Sequence, residues 1–409
     1  MVPTTMPPSP TSSTDKSGGQ TVLVTGATGF VGSHLVAALL ERGSHVTALC
    51  RGANGAAPVD RMSRLLDWHR LSDCSTLTVV EGDLTAPRLG LEPEAYAGLA
   101  ASVSEIWHCA SDTSFNAADR DRLMAVNVEG TRHMLDLAAT GGCRTFHYVS
   151  TAYAAGNTTG VCAEEHLPQT NFFNAYEETK HAAERCVIEA CEAAGINMRI
   201  YRPSIIVGDS AWGRSLLFKG IYYPIRAGLT LKKLFEKDLK HKGGRNAAKL
   251  GVAKDKDGAL ILPLRIASCE GASLNLVPID FVITSCMAIA DAARQDGVYN
   301  IVNPEPTSLE DFVEWSSSSQ SVRGVRTVPP GEFEAHPKTS LDKTFEKFVG
   351  AYAPYLSDVR TFDCRKSAEI LEKAGIACPK FDRPLLERCI EYGMEVDWGK
   401  RLFGDGSPK

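Results

Sequence analysis

The sequence predicts an α/β fold in which a doubly wound parallel sheet is followed by a smaller, α-rich C-terminal domain, and three observations carry that expectation. Between Thr21 and about Arg202, short β-branched runs alternate strictly with longer amphipathic ones; parallel strands cannot be joined by tight turns, so each pair needs a helical crossover. The strand runs TVLVT, HVTALC, TLTVV, RTFHYVS and INMRIYRP are nearly continuous hydrophobics, as in strands covered on both faces. After Pro203 the rhythm changes: Gly, Lys and aromatic residues mix through 208 to 275. A strand-like LNLVPI, a helix from about Ile279 to Arg294, VYNIVN and further helical stretches follow, and some of these strands are expected to return to the main sheet.

Composition agrees. The chain has 409 residues, 44% hydrophobic and 23% charged, which excludes collagen-like, coiled-coil and wholly disordered classes and leaves room for more than one domain. A net charge of −5 argues against a dedicated nucleic-acid binder, which needs a dominant positive field. The twelve cysteines form no C-x-x-C pair and sit mostly in apolar stretches, so a reducing, cytoplasmic setting is expected. No HExxH or similar grouping occurs, and no metal is expected.

In chain order, residues 1–20 come first; fourteen of them are Pro, Thr, Ser or Gly, and a disordered tail is expected. Residues 17–40 lack Asp, Glu, Lys and Arg, but the glycines divide them into strand, turn and helix rather than a membrane span. In TVLVTGATGFVGSHLVAALL, Gly26, Gly29 and Gly32 fall directly after a strand and at the mouth of a helix. The first glycine permits the turn, the second admits a pyrophosphate, and the third allows helix and strand to pack closely, while the helix N-terminus offers amides to an anion. This is a dinucleotide-binding loop of Rossmann type. The second strand ends at Arg51 with no acid within two residues on either side; an acid there would accept a ribose 2′-hydroxyl, whereas arginine can pair with the 2′-phosphate of NADP. Arg61 offers a second contact or a solvated helix charge, and Asp83 in EGDL either a partner for adenine or a helix cap. His108 and Cys109 end the fourth strand and are expected to shape the cofactor cleft.

YVSTAY ends the fifth strand, and Tyr176 and Lys180 in NAYEETK lie four apart on one helix face. A neighbouring ammonium is expected to lower the phenol's pKa from about 10, so that Tyr176 can protonate a developing alkoxide. Thr151 could hold the reacting carbonyl oxygen.

These segments together resemble the extended short-chain dehydrogenase/reductases: TGATGFVG, GDL, WHCAS, NVEGT, STA, YEETK and YRPSIIVGDS each have a counterpart motif in that family. The resemblance covers roughly residues 21 to 210 and implies Thr151, Tyr176 and Lys180 as catalytic residues. It also implies that Thr28, Phe30, Leu84, Ala110, Ser111, Asn127, Pro203 and Ser204 join the glycines, Arg51, Arg61, Asp83 and Lys180 around the cofactor. Within the family, LCRGAN, IWHCASDTSF, NFFNAYEETKHAAE, LNLVPIDFV and the ending EYGMEVDW are most similar to thioester and fatty acyl-CoA reductases. Such relatives imply NADPH-dependent reduction of an acyl thioester to an aldehyde, with or without a second reduction to the alcohol. The chain shows no adenylation or carrier segment, so a carrier-bound substrate is expected to arrive in trans. Rival expectations are a nucleotide-sugar epimerase or dehydratase, a hydroxysteroid dehydrogenase, or a non-catalytic NADP-binding regulator. The expected domain layout is a cofactor domain over 21–207 and a substrate region over 208–409.

One stretch stands apart by charge. Between Arg226 and Lys256, ten Lys or Arg face three acids in an otherwise acidic chain. It reads either as a mobile solvated insertion or as a docking surface for coenzyme A or an acyl carrier protein.

Overall fold

The computed structural model of the protein describes residues 21–52, 55–168, 170–293 and 296–403; the expected disordered tail, 1–20, lies outside them. Strand β1 (Thr21–Thr25) runs into helix α1 (Phe30–Glu41), followed by β2 (His45–Cys50), α2 (Pro58–His69), β3 (Leu77–Glu81), α3 (Pro93–Ser102) and β4 (Val103–His108). Next come α4 (Gly130–Thr140), β5 (Thr145–Val149), α5 (Ala175–Ala194) and β6 (Asn197–Pro203). Local chemistry sets several of these ends. Pro58 opens α2, where its missing N–H costs nothing. The Asn174 side chain accepts from the Glu177 amide at 3.1 Å to start α5, and Gly195, at φ +66°, ends it.

The C-terminal half supplies α6 (Tyr222–His241), α7 (Ile279–Ala292), β7 (Gly297–Ile301), α8 (Leu309–Ser318), α9 (Ser340–Val349) and α10 (Arg383–Glu395), with several strands of two or three residues between them. Among the described residues, seven strands form one parallel sheet in the order β7-β6-β5-β4-β1-β2-β3. VYNIVN therefore returns to the main sheet beside β6, whereas Leu276–Pro278 pairs with Ile205–Val207 instead. The order reverses between β1 and β4, and in open α/β sheets ligands bind at the carboxyl ends of the strands at that switch.

Both faces of the sheet are covered, which accounts for the continuous hydrophobic strands. Val22 and Val24 of β1 pack with α1 and α7 on one side, while Leu23 between them packs with α3, α4 and α5 on the other. A third core is built entirely from residues after Ser204, including Ile225, Leu231 and Phe235 of α6. The basic stretch is thus not a solvated insertion. Its first half is a helix whose apolar stripe enters a core, leaving Lys233, Lys237 and Lys240 in solvent. Its acids are all engaged: buried Asp238 caps the turn at Asn246 and Ala247, Glu236 pairs with Lys232 one turn away, and Asp255 pairs with the distant Arg323. Among the described residues no helix is long and apolar enough to cross a membrane.

Candidate active site

The loop between β1 and α1 is shaped by contacts only glycine permits. Gly26 sits at φ +65°, and a Cβ there would lie 2.6 Å from the Ala110 amide nitrogen; a Cβ on Gly32 would collide with the Gly26 carbonyl. The Gly29 amide donates to the Gly26 carbonyl at 2.8 Å, and Gly29 precedes α1 with no side-chain cap, leaving the first amides of the helix to a ligand. Ala110 anchors the end of β4 to β1 by donating its amide to the Thr25 hydroxyl at 3.3 Å. Thr28 is half-buried at the loop's crest.

A cavity of about 470 Å³ opens from this loop and passes Phe30, Ser111, Thr151, Tyr176, Lys180, Pro203 and Ser204. Two strand ends and one helix deliver the polar groups. Thr151 follows β5, its hydroxyl oxygen accepts from the Tyr153 amide at 3.3 Å, and Tyr176 of α5 lines the same cavity. Lys180, on the same helix, is fully buried; its ammonium donates to the Val149 carbonyl at 2.7 Å and lies 4.2 Å from the centre of the Tyr148 ring. Ser204 after β6 carries a buried hydroxyl with no partner among the described residues. Burial lowers the Lys180 pKa to about 7. It also raises the Tyr176 phenol, with the Thr151 hydroxyl the main opposing influence. The expected lowering of the phenol by Lys180 is therefore not what the fold produces: in this state the lysine points to the β5 backbone, and desolvation dominates at both groups.

Asn127 lies off the cavity, on a π-helical turn at Met124–Glu129. Its carbonyl oxygen accepts from the Asp112 amide at 2.7 Å and the Ser111 hydroxyl at 3.1 Å, and its amide donates to Thr179 at 3.0 Å. It ties the segment after β4 to the helix bearing Tyr176. Buried His108 is held between Thr25 and Thr131 at 2.7 and 3.0 Å, while Cys109 reaches the cavity.

Where β2 ends, Arg51 is exposed and Arg61 half-buried, and Arg61 donates to the Arg51 carbonyl at 2.7 Å, which keeps the two together. Asp83 accepts from the Thr85 amide and hydroxyl at 2.9 and 2.8 Å, and the Leu84 carbonyl takes a bond from His133 at 2.7 Å. One acid escaped the sequence reading. Glu81, paired across the ladder with Cys50, places its carboxylate against Gly52, so that a Cβ there would be 3.0 Å from it.

The cavity wall built by the C-terminal half was not foreseen either. Phe312, Tyr352, Tyr355 and Leu356 line it, joined by Phe115, with Lys219 at the edge, donating to Thr113 at 2.9 Å. The Tyr355 hydroxyl donates to Glu177, next to Tyr176, at 2.6 Å and accepts from Asn174 at 2.8 Å. No acidic side chain is among the described residues lining this cavity, and no cluster of three or more potential metal ligands occurs among the described residues.

A profile of the family described as male sterility protein matches residues 24–286. The chain is 25% identical over 396 residues, 92% of its length, to a linear gramicidin synthase of Brevibacillus parabrevis, of which it spans 7%; it spans 15% and 29% of two further relatives. It is 32% identical over 299 residues, 71% of this chain and 67% of the relative, to a 3 beta-hydroxysteroid dehydrogenase/Delta 5-->4-isomerase of Mycobacterium tuberculosis. In fold it is similar to the terminal R domain from the myxalamid PKS-NRPS biosynthetic pathway, with a TM-score of 0.72 at 21% identity, covering 94% of this chain and 92% of the other.

Proposed function

Because the chain belongs to the male sterility protein family, a branch of the extended short-chain dehydrogenase/reductases, and is an NAD(P)-dependent oxidoreductase, we propose that it uses NADPH to reduce an acyl thioester to an aldehyde. The observation that carries this is the convergence of the glycine loop, Thr151, Tyr176 and Lys180 on one cavity whose opposite wall is aromatic and aliphatic. The residues present fit a dinucleotide: Gly26 and Gly32 hold a tight turn that only glycine permits, Gly29 leaves the first amides of α1 uncapped for a pyrophosphate, and the Ser204 hydroxyl is buried in want of a partner. Arg51 and Arg61 favour the 2′-phosphate, opposed by Glu81.

When bound, NADPH supplies the hydride to the carbonyl carbon. Thr151 orients the carbonyl oxygen and Tyr176 gives it a proton, which yields a hemithioacetal. Its carbon–sulfur bond then breaks, the thiol leaves with the hydroxyl proton, and the aldehyde remains. Lys180, once drawn from the Val149 carbonyl towards the phenol and ribose, restores the Tyr176 proton. The aromatic wall excludes water from the reacting carbon.

Relatives that are peptide synthetases support a carrier- or coenzyme A-bound substrate, and the exposed Lys233, Lys237 and Lys240 would attract its phosphates. The lining argues against a nucleotide sugar, whose diphosphate would find, beyond the buried Lys180, only Lys219 among the described cations lining the cavity. A purified sample given NADPH and a panel of acyl thioesters should consume the cofactor and yield a trappable aldehyde. Turnover of a sterol or sugar nucleotide with none of any thioester would overturn the reading.

A further inference from the structure

We propose that Tyr148 is a positioning residue of the reduction: the face of its ring keeps the Lys180 ammonium charged and in place inside a water-poor site. The inference rests on the role given to Lys180 above. Two consecutive residues at the carboxyl end of β5 hold that ammonium. The Val149 carbonyl accepts from it at 2.7 Å, and the centre of the Tyr148 ring lies 4.2 Å away. Lysine and ring are each 1% exposed, so water does little to weaken the attraction between the cation and the ring.

The charged and titratable groups around Lys180 leave this task to the ring. On α5, Glu184 stands one turn beyond Lys180, but Arg202 of β6 takes both of its oxygens, at 2.9 and 2.5 Å, and so spends most of its charge. At the end of β4, burial lowers the His108 pKa to about 3 and pushes the Cys109 thiol up to about 12, so both are neutral at physiological pH. The Tyr176 phenol, raised by burial, is neutral too. A buried ammonium left with a single carbonyl tends to give up its proton. Lys180, lowered by burial to about 7, stands where a modest stabilisation of the ammonium decides its charge. The ring is well fixed for that purpose: Tyr148 faces His108 across the β4–β5 ladder and stacks on its imidazole, with centres 5.7 Å apart and planes at 22°.

The test reads the lysine itself, in the full chain without cofactor. With lysine isotope-labelled at Cε, the NMR resonance missing from Lys180→Met identifies Lys180, and its titration midpoint is followed. Tyr148→Phe keeps the ring face and should leave the midpoint nearly unchanged, whereas Tyr148→Leu should bring it about one pH unit lower. Phenylalanine carrying one, two and three ring fluorines, placed at the same position, weakens the face at nearly constant shape. The midpoint should fall stepwise along that series, which keeps the proposal testable if Tyr148→Leu folds poorly. The alkaline limb of kcat/KM for NADPH should move to lower pH with it. A midpoint unmoved by the fluorines, or one that moves while the limb of kcat/KM stays in place, overturns the proposal and leaves the reductase reading standing. If native protein and variants alike reduce no carbonyl compound, the reductase reading falls, and the role of Tyr148 falls with it whatever the midpoints do.

Discussion

Replacing Arg51 with alanine should weaken NADPH about tenfold and leave NADH nearly unchanged. A hydrogen bond to a charged group is worth about 1.5–3 kcal/mol. The Arg51 side chain is exposed, which places the loss near the lower limit, and 1.4 kcal/mol is about tenfold in affinity. Arg61→Ala should act in the same direction. Because Arg61 leans on the Arg51 carbonyl at 2.7 Å, the double variant should lose less than the product of the single losses. Glu81 works against both. Two unit charges about 5 Å apart in water interact by about 0.8 kcal/mol, so Glu81→Gln should tighten NADPH about threefold to fourfold while failing to tighten NADH. Fluorescence titration of both cofactors into native, Arg51→Ala, Arg61→Ala and Glu81→Gln proteins, at low and physiological salt, checks the set. The NADPH effects should shrink as the Debye length falls to about 8 Å. Equal weakening of both cofactors by Arg51→Ala, or a native preference for NADH, would refute the reasoning.

Tyr176→Phe keeps the ring against Phe115, 5.7 Å away, and should cost about 100-fold to 10,000-fold in kcat with NADPH still bound; near-native turnover would assign the acid elsewhere. Lys180, with its pKa lowered to about 7, gives activity and stability opposite pH trends. Its ammonium is lost as pH rises through about 7, so kcat/KM for NADPH should fall there. Between about 7 and the unfolded value near 10.4, the unfolded chain holds the extra proton, so resistance to denaturant should rise across the same window; parallel trends would contradict the assignment. Glu184 and Arg202 are 0% and 1% exposed and paired at 2.5 Å. Glu184→Ala should therefore destabilise the fold by about 3–5 kcal/mol, read from the denaturant midpoint, and a shift under about 1 kcal/mol would show that the pair carries little.

What could be read from the sequence was whatever local spacing encodes. The glycine loop, the strand–helix alternation and the four-residue step from Tyr176 to Lys180 each lie within a single element or turn, and the structure brings them to one cavity. Features made by register or by distant chain were not readable. Glu81 reaches the end of β2 only because it pairs with Cys50 on the neighbouring strand. Tyr355 meets Glu177 from 178 residues away. The helix within the basic stretch did leave a trace, since Ala227, Leu231 and Phe235 recur every four residues, but the local charge masks that periodicity. The phenol's pKa was illegible for another reason: burial is a tertiary property, and it reversed the sign expected from a neighbouring ammonium.

The bond from Tyr355 to Glu177 has a mechanical meaning. Tyr355 belongs to the wall that greets the substrate, and Glu177 is covalently adjacent to the proposed proton donor. A guest pressing on that wall therefore leans on the first turn of α5 and so adjusts the aim of the phenol. On the proposed reading, recognition and chemistry would be geared to one another through the Tyr355 hydroxyl and through Phe115, whose ring meets both Tyr176 and Tyr355. An ill-fitting acyl group would lose turnover as well as affinity, and selectivity among acyl groups would show in kcat as much as in KM.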